Sequence, residues 1–381
     1  MIPRLISVDI AQQLSTGGRI VLLFGARQVG KTTLVRAVLK GSGYKVLYLN
    51  GDDLRSTTVL SSRDLDQLRG LVSGYDVLFV DEAQRIPEIG LNLKLLADHV
   101  PQLRIIATGS SSLDLASKTR EALTGRAWIH TLFPIAHAEM ATENTPFELN
   151  QQLESRLRFG SYPALFAIEN TTAQREYVQM LADSYLYKDV LEIARIKHPA
   201  KLRDLLQLLA YQVGNEVSMT ELAAQLQISR DAVNAYLDLL EQSFVIFRLR
   251  GFIRNLRKEV TKLPKFYFWD VGVRNALVNN FDPLQRRADV GALWENYVIA
   301  ERRKLLSYRK TAVNFHFWRT HTGAELDLIE HRGGEPHGYE FKWGKGTMRP
   351  ATTFLDSYPH ATTALINQTN YSAFLTSAPD E

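Results

Sequence analysis

Residues 19–33 read RIVLLFGARQVGKTT, and the rest of the chain is organised around them. Arg19 to Phe24 is a run of Ile, Val, Leu and Phe, which predicts a buried strand. Gly25 to Thr32 satisfies G-x-x-x-x-G-K-[ST], and Thr33 to Leu39 has the pattern of a helix. The spacing has a physical reason. Glycine lets the backbone wrap closely, so the N–H groups of Gly25, Ala26, Arg27, Gln28, Val29, Gly30, Lys31, Thr32 and Thr33 are expected to line a phosphate cradle. The helix N-terminus adds its partial positive charge. Lys31 would reach the β- and γ-phosphates, and the Thr32 hydroxyl would ligate Mg²⁺.

Outward from this loop, residues 76–82 read DVLFVDE, an apolar strand ending in two carboxylates. Asp81 is placed to hold Mg²⁺ through water, and Glu82 to orient or deprotonate an attacking water. After another apolar run, Arg104 to Thr108, comes Gly109-Ser110-Ser111-Ser112. There Ser110 is the candidate for touching a γ-phosphate, the alternative being a helix cap. Arg126, in Leu123-Thr124-Gly125-Arg126, is a candidate arginine finger, with Arg120 as its rival. Either could instead form a surface ion pair worth ~0–1 kcal/mol. With Lys45 to Leu49 these runs make four strands alternating with helical patterns. Residues 1–148 therefore read as an α/β domain with a parallel sheet.

Residues 149–281 are dominated by helical periodicity. Leu202, Leu205, Leu206, Leu208 and Leu209 mark one helix, Ser218 to Glu221 a capping box, and Ser229 the cap of a helix running to about Gln242. A β-like run, Phe244 to Leu249, follows. Helix, short helix, turn, helix and strand is the order expected of a winged helix-turn-helix. The outward residues of its last helix would include Arg230, Asn234 and Asp238, only one of them basic. Positive charge sits beside it instead. Residues 243–265 hold Arg248, Arg250, Arg254, Arg257, Lys258, Lys262 and Lys265 against Glu259, a net +6 in a chain of net +4, which leaves −2 elsewhere. Such a stripe suits sequence-independent contact with a DNA backbone; a module packing between its neighbours is the alternative.

Residues 282–381 read as α+β: a helix from Leu293 to Leu306, then strands Asn314–Trp318, Glu325–His331 and Gly338–Trp343, with Pro336 in the last turn. A hairpin about Gly333-Gly334 pairs residues whose numbers sum to 667, so Asp327 would face Glu340 and Glu325 would face Lys342. Opposed carboxylates repel unless a divalent cation bridges them. With Lys342 on their face and Glu295 on the preceding helix, these residues form a possible metal-dependent nuclease site. A surface hairpin with ordinary charges is the alternative.

The lines LLFGARQVGKTTL, VLFVDEAQRIPE, ATGSSS, LTGRAWIHTLFPIAHAEM, RFGSYPALF, SYLYKDVLE, KFYFWDVGVRNAL, AELDLIE and YEFKWGK carry a family resemblance over nearly the whole chain. The first block resembles an AAA+ ATPase domain. The whole is similar to a prokaryotic group in which that domain is followed by a helical lid and winged helix, then by a C-terminal domain akin to restriction endonucleases. The resemblance implies Mg²⁺-dependent ATP hydrolysis and homo-oligomers in rings or arcs. In one departure, Phe341 and Trp343 flank Lys342 where smaller β-branched residues are usual.

Composition bounds the rest. In 381 residues, 45% apolar and 23% charged is ordinary for folded chains and excludes a disordered or fibrous protein. Cysteine is absent, which excludes disulfides, a cysteine nucleophile and thiolate-bound metals. The longest apolar run, Ile20 to Ala26, is far below the ~18 residues of a membrane span. The first residues lack a secretory pattern, so a cytoplasmic location is expected. The functional expectation is an ATP hydrolase acting on DNA. Its rivals are a slow nucleotide switch or scaffold with an inactive nuclease fold, and a plain endonuclease with a vestigial ATP site.

Overall fold

The structure, a computed structural model, describes residues 2–110, 123–194, 199–252, 263–320, 323–347 and 351–379, with the backbone alone for 184–194 and 199. Packing divides the chain into two compact units, residues 3–134 with 242–244, and residues 135–241 with 245–381.

The first unit runs α1 (Ser7–Thr16), β1 (Ile20–Phe24), α2 (Lys31–Lys40), β2 (Val46–Asn50), α3 (Leu54–Leu60), α4 (Leu65–Val72), β3 (Val77–Asp81), α5 (Ile89–His99), β4 (Arg104–Gly109) and β5 (Ala127–Thr131). Its five strands form one wholly parallel sheet in the order β2-β3-β4-β1-β5. All five residues of β1 and of β3 are buried, as expected of strands covered on both faces. The edge strand β5 has no such run: its pattern is mixed and Ile129 is 45% exposed. Periodicity therefore missed it.

In the second unit come α6 (His137–Met140), α7 (Pro146–Phe159), α8 (Thr171–Ala194), α9 (Pro199–Tyr211), α10 (Met219–Leu226), α11 (Arg230–Gln242), β6 (Ile246–Gly251), β7 (Lys265–Phe268) and α12 (Val271–Leu277). They are followed by α13 (Val290–Tyr308), β8 (Asn314–Arg319), β9 (Glu325–Arg332), β10 (Glu335–Phe341), α14 (Thr352–Ser357), β11 (Thr362–Ile366) and α15 (Tyr371–Thr376). Ser218 and Ser229 cap as expected, accepting from the backbone N–H groups of Glu221 and Ala232. A six-stranded mixed sheet runs β11-β10-β9-β8-β6-β7. The hairpin β6–β7 joins it through Arg250↔His316 and Gly251↔Phe317. That shared sheet is why no unit boundary falls at residue 281.

Pro336 lies inside β10 rather than in the turn, which is Gly333-Gly334 alone. The parallel partner β11 pairs only from His337 onward, so the missing N–H of Pro336 interrupts no pairing with that strand.

Two of the quoted sequence lines meet at Asp270. Its carboxylate accepts from the backbone N–H groups of Ser161 at 2.7 Å, Gly272 at 2.9 Å and Val273 at 3.2 Å. A Cβ on Gly160, where φ is +85°, would sit 2.0 Å from Asp270 Oδ1; one on Gly272 would sit 1.9 Å from the Phe159 carbonyl oxygen. The RFGSYPALF and FWDVGVRNAL segments are thus pressed backbone to side chain. Replacing Gly272 by Ala forces backbone apart and is expected to lower the unfolding free energy by ~1–3 kcal/mol or more. A urea midpoint unchanged from wild type contradicts this packing.

Candidate functional site

The loop after β1 depends on three left-handed residues, Gln28 (φ +60°), Gly30 (φ +97°) and, at its start, Gly25 (φ +151°). Gly25 also has no room for a side chain: a Cβ there would lie 2.1 Å from the carbonyl oxygen of Leu132. From the other side Arg4, which is buried, donates to the carbonyls of Val29 at 2.8 Å and Phe133 at 2.6 Å. The Lys31 ammonium, also buried, lies on two carbonyls of its own loop, Gly25 and Ala26, both at 2.9 Å.

Asp81 is the polar centre. It stands at the end of β3, where the parallel register sets it beside the ends of β2 and β4. Its Oδ2 accepts from Thr32 Oγ1 at 2.8 Å and from the Tyr48 hydroxyl at 3.2 Å. Oδ1 accepts from Thr108 Oγ1 through a very short bond. The Arg36 guanidinium lies 4.9 Å from the Tyr48 ring centre. Burial and the charge of Asp81 raise the Tyr48 phenol, so it stays a donor.

Next along the chain Glu82 adopts a left-handed conformation, φ +50°. A Cβ on Gly51 would lie 2.3 Å from the Glu82 carbonyl oxygen, so glycine at the end of β2 leaves space for that conformation. The Gln84 amide then bridges two expected site residues. Its Nε2 donates to Glu82 Oε2 at 2.6 Å and to Ser110 Oγ at 3.0 Å. Thr32 and Asp81 thus share one hydrogen-bonded set, and Glu82 and Ser110 share a second one through Gln84. Thr108, Gln84, Tyr48 and Arg4 were not foreseen. Only Thr108 had a usable signal, a polar residue ending a strand next to the acidic one.

The Arg126 guanidinium is paired with Asp98 at 2.8 Å, with both side chains partly exposed. Arg120, Ser111 and Ser112 lie outside the described residues.

The oxygen-only set of Thr32 and Asp81 suits a hard cation such as Mg²⁺, and the amide-lined bend suits phosphate.

The carboxylates of the second unit differ from expectation. The hairpin register holds from Glu335↔Arg332 to Tyr339↔Leu328, each pair summing to 667. It ends there because β9 carries a bulge: His316 pairs Ile329 and Trp318 pairs Leu326, so Asp327 and Leu328 together oppose Phe317. The bulge re-aims Asp327. Its Oδ2 accepts from the Phe341 N–H at 2.7 Å, and the carboxylate that acts on it most is Glu295 of α13. Burial first, then Glu295, pushes Asp327 up to about 8; burial also raises Glu295.

Glu340 does not join them. A Cβ on Gly338 would meet Ile329 and Phe354, and the two-residue period puts Glu340 on that same face. Tyr339 and Phe341 approach Phe374, against which Arg302 of α13 stacks, so α13 covers the opposite face. Glu340 pairs with Lys342 at 2.8 Å. The expected facing of Asp327 with Glu340, and of Glu325 with Lys342, is thus corrected: the four residues are divided between two faces. Among the described residues no group of three or more His, Asp or Glu is arranged to hold a metal ion.

The basic stripe is also smaller than its count. Arg248 pairs with Asp238 and Glu241, both at 3.0 Å, and Lys265 is buried. Arg250 is exposed. Arg254, Arg257, Lys258 and Lys262 lie outside the described residues.

Comparison with known proteins divides the chain in three. Residues 17–141 match the family described as an AAA domain. Residues 150–284 and 290–375 match two domains of unknown function, DUF8612 and DUF4143. An uncharacterized protein of Mycobacterium tuberculosis is 29% identical over 327 residues, covering 85% of this chain and 70% of that one. Another, of Methanocaldococcus jannaschii, is 25% identical over 309 residues, covering 75% and 67%. Among solved structures a Walker-type ATPase of Pyrococcus abyssi aligns with TM-score 0.48 at 17% identity, covering 73% of this chain and 96% of that one. The chain has an α/β fold with the parallel central sheet of a P-loop ATPase, followed by helical and mixed-sheet regions. The AAA match and the loop geometry support an AAA-type ATPase. Among the described residues no helix is long and apolar enough to cross a membrane.

Two outcomes are expected here. Thr108→Val deprives the buried Asp81 carboxylate of one donor and should cost ~1–3 kcal/mol of stability, read from chemical denaturation. Asp327 has its proton affinity raised in the folded chain. Between its ordinary value of 3.8 and about 8 the folded state therefore binds more protons than the unfolded state, and stability falls as pH rises through that window. Asp327→Asn should flatten this decline in melting temperature; an unchanged slope contradicts it.

Proposed function

We propose that the chain is a Mg²⁺-dependent ATP hydrolase, and the observation carrying this reading is the bond from Thr32 of the phosphate-type loop to Asp81, next to a Glu82 that Gln84 ties to Ser110. Backbone N–H groups from Gly25 to Thr33 and the Lys31 ammonium would hold the triphosphate. Thr32 and Asp81 would hold the cation, which supplies charge neutralisation for the phosphates. Glu82 would take the proton of the attacking water, with Gln84 fixing its carboxylate and tying it to Ser110 as the γ-phosphate contact. Arg126, leaving Asp98, would serve a neighbouring copy in a ring or arc.

The cycle acts, in this reading, on DNA. The order of three helices and a hairpin over α9 to β7 supports a winged-helix module, and a helix, three antiparallel strands, a helix and a parallel strand over α13 to β11 support a nuclease-like fold. DNA contact would be sequence-independent, through residues 243–265, and chiefly through Arg250, Arg254, Arg257, Lys258 and Lys262.

A second reading has one observation in its favour. Arg248 and Lys265 are committed to internal carboxylates, which suits a slow nucleotide switch with a protein partner and an inactive nuclease-like fold.

Turnover measured with and without duplex and single-stranded DNA separates the two. Lys31→Ala should weaken ATP binding ~10–100-fold. Glu82→Gln should keep binding and lower turnover ~10²–10⁴-fold. DNA stimulation lost in the triple variant Arg254→Ala, Arg257→Ala, Lys258→Ala supports action on DNA. Turnover indifferent to DNA, with no salt-sensitive DNA retention, supports the switch. ATP binding indifferent to Lys31→Ala refutes both.

A further inference from the structure

The cluster around Glu295 has a cation in it, and the chain itself provides that cation. Lys265, the first residue of β7, is 1% exposed. Its Nζ lies 2.6 Å from Glu325 Oε1 and 3.6 Å from Glu295 Oε1, and 5.1 Å from the Phe317 ring centre. Two residues on, and so on the same face of the strand, the Tyr267 hydroxyl donates to Glu295 Oε1 at 2.5 Å. The Arg319 guanidinium approaches Glu325 from the exposed side, 3.8 Å away. When ionised, Asp327 adds to the charges acting on Lys265. Burial opposes the ammonium, yet Glu295 and Glu325 hold its pKa above the usual value. Hence β7 delivers a permanent cation and a hydroxyl donor to the carboxylates of α13 and β9.

We propose that the Glu295–Glu325–Asp327 cluster is a cation site whose resident occupant is the Lys265 ammonium, so that the folded chain takes no divalent metal there. Three features support this. Two carboxylates face the ammonium, one of them at hydrogen-bonding distance. The Glu295 oxygen that faces the ammonium, Oε1, also accepts from Tyr267. Glu340 and Lys342, which a metal-dependent cleavage site would need beside Asp327, share the other face of the sheet. A divalent ion needs several oxygens converging at ~2.0–2.6 Å, and an ammonium in their midst prevents that approach. The inference concerns a site remote in role from nucleotide hydrolysis and stands whether or not ATP is turned over.

The test uses the full-length, nucleotide-free protein and Mn²⁺ as the probe, with free Mn²⁺ read by electron paramagnetic resonance. Wild type and Glu295→Gln should show the same background uptake. Lys265→Ala should take up one additional ion with at least ~10-fold tighter apparent affinity, and Lys265→Ala combined with Glu295→Gln should lose it. Wild type binding an ion that Glu295→Gln abolishes overturns the proposal. So does a folded Lys265→Ala protein with no added uptake. If Lys265→Ala does not fold, thermal melts decide: a cooperative transition restored by Mn²⁺ supports the proposal, and none restored overturns it.

Discussion

The buried carboxylate of Asp81 organises the first unit. A charged group with so little access to water must be surrounded by donors, or it would cost several kcal/mol. Thr32 comes from the helix after the loop, Tyr48 from β2 and Thr108 from β4. Each hydroxyl reaches the carboxylate only because the strands are parallel and in a fixed register, which brings their carboxyl ends level. Sheet order and helix position are thereby tied to a single functional group. The loop itself is held from outside, by Arg4 and by the close passage of Leu132 against Gly25.

In the second unit the same physics is spent on architecture. Asp270 links two segments more than 100 positions apart, and Asn275 donates to the carbonyls of Leu157 and Arg158 beside it. Arg302 and Glu330 form a buried pair, and Lys265 joins Glu325 and Glu295. Polar residues inside a fold specify which partners meet, because mispairing leaves a charge without compensation. Such contacts account for several charged residues that a sequence count assigns to the surface.

Much of this was legible in the residues themselves. The Gly25–Thr32 loop, its flanking strand and helix, and the Asp81–Glu82 pair carry strong local patterns, and the structure joins them as the spacing implied. The capped helices at Ser218 and Ser229 were also visible, because capping is local. Elements decided by distant contacts were not. The edge strand β5, the pairing of β6 with β8 and the late elements α14, β11 and α15 have no distinctive period. Nor could seven basic residues reveal that Arg248 and Lys265 face inward, since charge counts carry no direction. The hairpin arithmetic was correct over five pairs and then failed at one inserted residue.

That inserted residue has a consequence for ancestry and design. Side chains on a strand obey parity, and a single extra position between Phe317's two neighbours' partners reverses the parity of everything beyond it. Shortening β9 by one residue at Asp327–Leu328 is therefore a different event from changing any side chain. It would leave a single residue opposite Phe317, with Leu326 and Ile329 two positions apart on the face they already share. A single codon thus decides whether this strand bends at Phe317 or runs straight past it.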